Sequence, residues 1–138
     1  MRLRDLRKQL LEQHAQIRRL VAQVEAGLDA GLGAAEVTAR LDALKAAVVA
    51  HNQLEAHALE PILECIDAWG PQRVKALVGE HRAEHEGVLT QLGESAAKDG
   101  ARLKALMTEL VAHLAREEKT LLTEKLLRDD VIQLDAGD

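Results

Sequence analysis

Apolar residues recur at steps of three and four along nearly the whole chain, and this period admits helix and little else. Leu3, Leu6, Leu10, His14, Ile17, Val21, Val24 and Leu28 form one stripe about seven turns long. Gly27, Gly31 and Gly33 close it. A second helix begins near Ala34 and carries Val37, Leu41, Leu44, Val48, His51, Glu55 and Leu59. Pro61 removes the hydrogen bond to residue 57 and so predicts a kink or break, with helix resuming from Ile62 to Trp69. Gly70-Pro71 reads as a stop followed by proline in the first turn of a third helix. That helix holds Val74, Leu77, Val78, His81, His85, Val88, Leu89 and Leu92. Its Gly79, Gly87 and Gly93 loosen it by about 1 kcal/mol each relative to Ala, without implying close backbone approach. After a polar turn at residues 95–100, a fourth helix carries Leu103, Leu106, Leu110, His113, Leu114, Glu117 and Leu121. Four helices joined by short turns predict an all-α, up-down-up-down antiparallel four-helix bundle over residues 1–128. Residues 129–138 read as an acidic C-terminal tail.

Composition narrows the functions available. With 138 residues the chain is one domain with one sizeable core, built from Leu, Val, Ile and Ala because aromatic content is only 1%. A net charge of −5 argues against a nucleic-acid partner, which wants a basic face. No apolar stretch approaches a membrane span, and Met1-Arg2-Leu3-Arg4-Asp5 lacks a signal-peptide core. The single Cys65 makes no internal disulfide, so a reducing cytoplasm is expected. Cys65 and Trp69 read as packing residues.

The polar residues on the apolar stripes carry the chemistry. His51 with Glu55, His81 with His85, and His113 with Glu117 are each four residues apart, so each pair shares a helix face. At a rise of about 1.5 Å per residue in alternating directions, these six and His14 all fall roughly 7–21 Å above the base of the bundle. Five imidazoles and two carboxylates therefore converge in one layer. Burying them without a cation would leave several unpaired polar groups, each costly. This donor set exceeds the four ligands of one tetrahedral zinc and fits two metals with bridging carboxylates. Imidazole-rich, thiolate-free donors suit iron, copper or zinc. Ferritin-type diiron bundles use Glu-x-x-His, which this chain lacks.

The order His14, then His51-x-x-x-Glu55, then His81-x-x-x-His85, then His113-x-x-x-Glu117-Glu118 resembles the hemerythrin-like (hemerythrin HHE cation-binding) family. The flanking runs Glu12-Gln13-His14, Ala83-Glu84-His85-Glu86 and His51-Asn52-Gln53-Leu54-Glu55 share the likeness, which extends from Leu10 to about Leu127. The resemblance implies two iron ions, oxo- or hydroxo-bridged. His81, His85 and His113 would hold one, His14 and His51 the other, with Glu55 and a helix-four carboxylate bridging. Such a set leaves one position open, on the iron with two histidines, where dioxygen would bind end-on. The four-residue spacing of many relatives selects Glu117, which shares a face with His113. The five-residue spacing of the oxygen carriers would select Glu118, about 140° round the helix; the shared face favours Glu117.

Leu110 and Leu114 flank His113 and are candidates for the apolar wall of an oxygen pocket, or else ordinary core. Glu60 stands where relatives often carry an aromatic before the proline, which implies a wetter mouth. His57 falls on a different face from His51 and is expected at the surface or behind the ligands. Without tyrosine, neither a tyrosyl radical nor a phenolate ligand is available. The leading expectation is a non-haem diiron protein for oxygen binding, storage or sensing. The alternatives are a diiron enzyme handling peroxide or nitric oxide, an iron-handling stress protein, and an interaction bundle that is metal-free or holds structural metal. An electron donor or signalling partner is not readable from the sequence.

Overall fold

The computed structural model describes residues 2–64, 71–94 and 100–123. Cys65, Trp69, the turn at 95–99 and the tail from 124 onward, and with it the expected boundary near 128, lie outside the described residues. The elements are α1 (Leu3–Asp29), α2 (Ala34–Leu54), a π-helical turn (Glu55–Leu59), α3 (Glu60–Glu64), α4 (Pro71–Glu94) and α5 (Gly100–Thr120). All described secondary structure is helical, as the three-four period requires.

Helix α1 ends on a left-handed residue. Gly31 has φ 69°, with the Gly31 N–H donating to Leu28 O and the Leu32 N–H to Gly27 O. This pair of bonds is the Schellman closure, which needs a residue without the Cβ penalty at that φ. The chain then reverses into α2.

Cross-helix contacts set the direction of each neighbour. Arg40 donates to Gln23 O and His51 lies beside His14, so α1 and α2 run antiparallel. Arg82 pairs with Glu60 and His85 with Glu55, which gives the same relation for α4 against the α2–π–α3 rod. Lys104 meets Asp29 while Glu118 meets His14, so α5 opposes α1, and α5 packs on α4 as well. The result is the up-down-up-down bundle.

Of the kink or break predicted at Pro61, the break does not occur, and the α-helical ladder gives way to a π turn over Glu55–Leu59. The rod stays helical through the proline because the preceding turn widens: the Glu60 N–H bonds to Glu55 O, five residues back. A proline ring crowds the carbonyl four residues before it, and a wider turn gives that carbonyl room while keeping the helix intact.

Two apolar cores result. Ile17, Val21, Val24, Leu44, Val48 and Leu106 belong to the larger one, and Leu6, Leu10, Leu59, Leu63, Val78 and Leu122 to the smaller. Between them lies a slab of buried polar residues, so the bundle is not held by one continuous oil layer.

Glycines 79 and 87 line no crowded interface. A Cβ at either meets nothing within 4 Å. Gly79→Ala and Gly87→Ala should therefore each stabilise α4 by about 0.5–1 kcal/mol. Urea titration measures this directly; a loss of stability would mean that the helix needs the glycine after all.

Candidate metal centre

The slab between the cores contains His14 from α1, His51 from α2, Glu55 from the π turn, His81 and His85 from α4, and His113 and Glu117 from α5. All seven are buried. Four-residue spacing stacks each pair on one inward face, and antiparallel packing brings the faces to one height.

Every imidazole presents Nε2 to the middle. Glu117 lies at the centre: its Oε1 is 2.9 Å from His14 Nε2 and 3.3 Å from His51 Nε2. Its Oε2 is 3.0 Å from Nε2 of each of His81, His85 and His113. Glu55 divides its oxygens the same way, with Oε1 2.7 Å from His51 and Oε2 2.5 Å from His81 and 3.1 Å from His85. Two compact donor groups follow, His14–His51–Glu55–Glu117 and His81–His85–His113–Glu117. In each, one donor atom per residue lies within 4.8 Å of all the others.

Glu118 takes a different place. It accepts from Arg18 at 2.6 and 3.0 Å and lies 2.8 Å from His14 Nδ1, on the outer side of that ring. Hydrogen bonds from Arg18, against partial burial, hold its carboxyl below the usual range. Gln13 Oε1 stands 2.8 Å from His51 Nδ1, and Glu84 Oε2 2.6 Å from His113 Nδ1. These outer partners of His51 and His113 went unread in the sequence, although Gln13 adjoins His14 and Glu84 adjoins His85.

The outer acceptors decide where the protons sit. A carboxylate or an amide oxygen can only accept, so Nδ1 of His14, His51 and His113 must donate. A neutral imidazole then turns a bare Nε2 lone pair inward, towards carboxylate lone pairs. His14 and His51 even face each other, Nε2 to Nε2, at 3.2 Å. Buried Glu55 Oε1 and His113 Nε2 make no hydrogen bond despite their close neighbours. Only positive charge relieves such a cluster, as extra protons or as metal ions.

With protons alone the electrostatics follow from the same distances. Burial opposes charge on His51, but hydrogen bonds with Glu117 and Glu55 outweigh it and hold the imidazolium pKa up at about 9. His81, under the same opposing influences, reaches about 10, and His85 also rises. Burial alone would raise Glu55, yet bonds from His51, His81 and His85 bring it to about 2. Glu117 is likewise pushed down, its hydrogen bonds from His113, His14, His51 and His81 overcoming burial. The residues fit a metal: converging Nε2 and carboxylate donors, with outer acceptors that fix the rings of His14, His51 and His113, are the usual surroundings of a histidine-bound cation.

Beside the slab lies a small cavity, about large enough for one water molecule. Leu110 and Leu114 line it together with Ile17, Val48 and Val88. Imidazoles of His51, His85 and His113 form its other side, and Asn52 completes it. Glu60 does not open the site to water: it is buried, and Arg82 Nε donates to it at 2.6 Å. An ion pair has replaced the solvation that a carboxylate at this point implied. His57 is exposed on the π turn, away from the slab.

No helix among the described residues is long and apolar enough to cross a membrane. No curated protein and no solved structure matches the chain. The model of the hemerythrin HHE cation binding domain matches residues 5–124 of the 138, and the chain belongs to that family.

Proposed function

We propose that this is a cytoplasmic non-haem diiron protein that binds dioxygen at one open iron position, for storage, delivery or sensing. The observation that carries this reading is the division of each inner carboxylate. Glu55 and Glu117 each turn one oxygen to His14 and His51 or to His51 alone, and the other to the α4 histidines, as bridging ligands would. His14 and His51 would hold one ion, and His81, His85 and His113 the other. Three nitrogens on one side against two on the other leave the unfilled position with His14 and His51. Iron held there would supply electrons and a coordination position for a small diatomic ligand.

The chain's own residues would do the rest. Gln13, Glu84 and Glu118 fix ring orientation through Nδ1 and raise the basicity of Nε2. Leu110 and Leu114, with the other apolar residues beside the slab, would exclude bulk water and leave room for about one water-sized ligand. Exclusion of water and protons favours release of an oxygen ligand over its reduction.

Protein expressed in iron-replete medium should carry about two iron ions per chain. After anaerobic reduction, admission of air should produce a visible charge-transfer band that vanishes again under argon. Less than about one metal per chain, with stability unchanged in chelator, would overturn the diiron reading. Sustained turnover of peroxide or nitric oxide with a reductant, and no reversible band, would make it an enzyme instead.

A further inference from the structure

We propose that the side-chain amide of Asn52 donates a hydrogen bond to the small ligand occupying the cavity beside the slab, and so selects ligands whose outer atom accepts one. The inference rests on the metal-centre reading above. In a wall of Leu, Val and Ile, Asn52 is the one polar side chain besides the three histidines. Its Nδ2 is buried and has no hydrogen-bond partner. An unpaired buried amide is destabilising, and an apolar residue of similar size, as at neighbouring wall positions, would avoid that penalty. The penalty has a use if the missing acceptor arrives with the ligand.

Two of the three lining histidines do not supply that bond. His51 and His113 turn Nε2 towards the inner carboxylates and bond through Nδ1 to Gln13 and Glu84. Asn52 follows His51 directly in α2, so its amide is carried on the same rigid turn as a proposed ligand to the open-position iron. The ligand class this favours is a molecule of one or two heavy atoms, polarised or anionic at its outer end. A diatomic that stays non-polar when bound gains nothing from the amide.

Cyanide, added to the oxidised, iron-loaded full chain, is a probe of this size with an accepting nitrogen. Asn52→Leu should weaken cyanide binding about tenfold, the scale of one buried hydrogen bond, and shift the infrared stretch of the bound ion. In the metal-free chain the same substitution should raise the thermal midpoint by about 3–5 °C, because an unpaired donor has been removed. Asn52→Ala, read by cyanide affinity and infrared stretch, serves if the leucine does not fit. Wild-type affinity and an unshifted band in these variants would overturn the role of Asn52 while leaving the diiron reading intact. A midpoint lowered in both Asn52→Leu and Asn52→Ala would overturn it too, by showing that the amide is a structural group. A wild-type chain that takes up no iron would overturn both.

Discussion

Glu117→Gln should lower iron content from about two ions per chain to less than one, whereas Glu118→Gln should retain both. The two residues are adjacent, yet their surroundings differ completely. Glu117 lies within 3.3 Å of all five inner imidazole nitrogens and is buried. Its loss removes charge from both donor groups at once. An amide oxygen can still coordinate weakly, but the amide nitrogen would face imidazole nitrogens on the other side, so one metal position is lost and the second impaired. The metal-free chain suffers as well: several imidazolium groups lose a central counter-charge, and breaking a buried ion pair costs about 3–5 kcal/mol. Glu118 touches only the outer edge of His14 and Arg18. Neutralising it should weaken metal affinity about 10–100-fold, the usual size for an outer partner of a ligand histidine, without changing stoichiometry. Elemental analysis under saturating iron, beside a chelator competition titration, separates the two effects. Iron retained by Glu117→Gln and lost by Glu118→Gln would reverse the assignment.

The layer of donors was legible because helix geometry leaves few choices. A four-residue step keeps His113 and Glu117 on one face, and counting the rise along alternating helices puts His14 and His81 at one height without any tertiary information. What stayed hidden depends on side chains that reach between helices. Gln13 and Glu84 each sit one position from a ligand in sequence, about 100° away on their own helix. Both serve a histidine on a neighbouring helix, a pairing that no local spacing reveals. The form taken by the interruption at Pro61 stayed hidden for a related reason. The rule that proline breaks a helix assumes the α-helical ladder, but the Glu55–Leu59 turn has changed to a wider one, and a π turn has no compositional signature. Glu60 shows the same limit: the carboxylate looked solvated until Arg82 appeared one helix away. Asn52 read as ordinary flanking text, and only its orphaned amide beside an apolar cavity distinguishes it.

Removing metal should reverse the response of the bundle to pH. In the metal-free chain the folded state raises His51 to about 9 and His81 to about 10, both from an ordinary value near 6.5. Groups raised by folding contribute stability that is complete below the unfolded pKa and is lost as pH climbs through the folded one. Glu55, lowered to about 2, contributes stability that is complete above its unfolded value near 4.5 and is lost as pH falls through 2. Both contributions are complete only between about pH 4.5 and 6.5, so the metal-free midpoint should peak there and fall steadily towards pH 10. The loaded chain behaves oppositely across the same range, since metal competes with protons for the same Nε2 atoms and is displaced by acid. Metal uptake near neutral pH must then expel the protons that His51, His81 and His85 would otherwise hold, measurable as acidification of unbuffered solution. Thermal melts in chelator and in excess zinc, a redox-silent stand-in, should cross, with the metal increment growing from pH 5 to pH 8. A metal-free midpoint that is flat from pH 6 to 10, together with proton-free metal uptake, would show that the imidazoles are neutral before metal arrives. The outer acceptors alone would then hold the rings in place, and the slab would be a preformed cage rather than a proton-filled one.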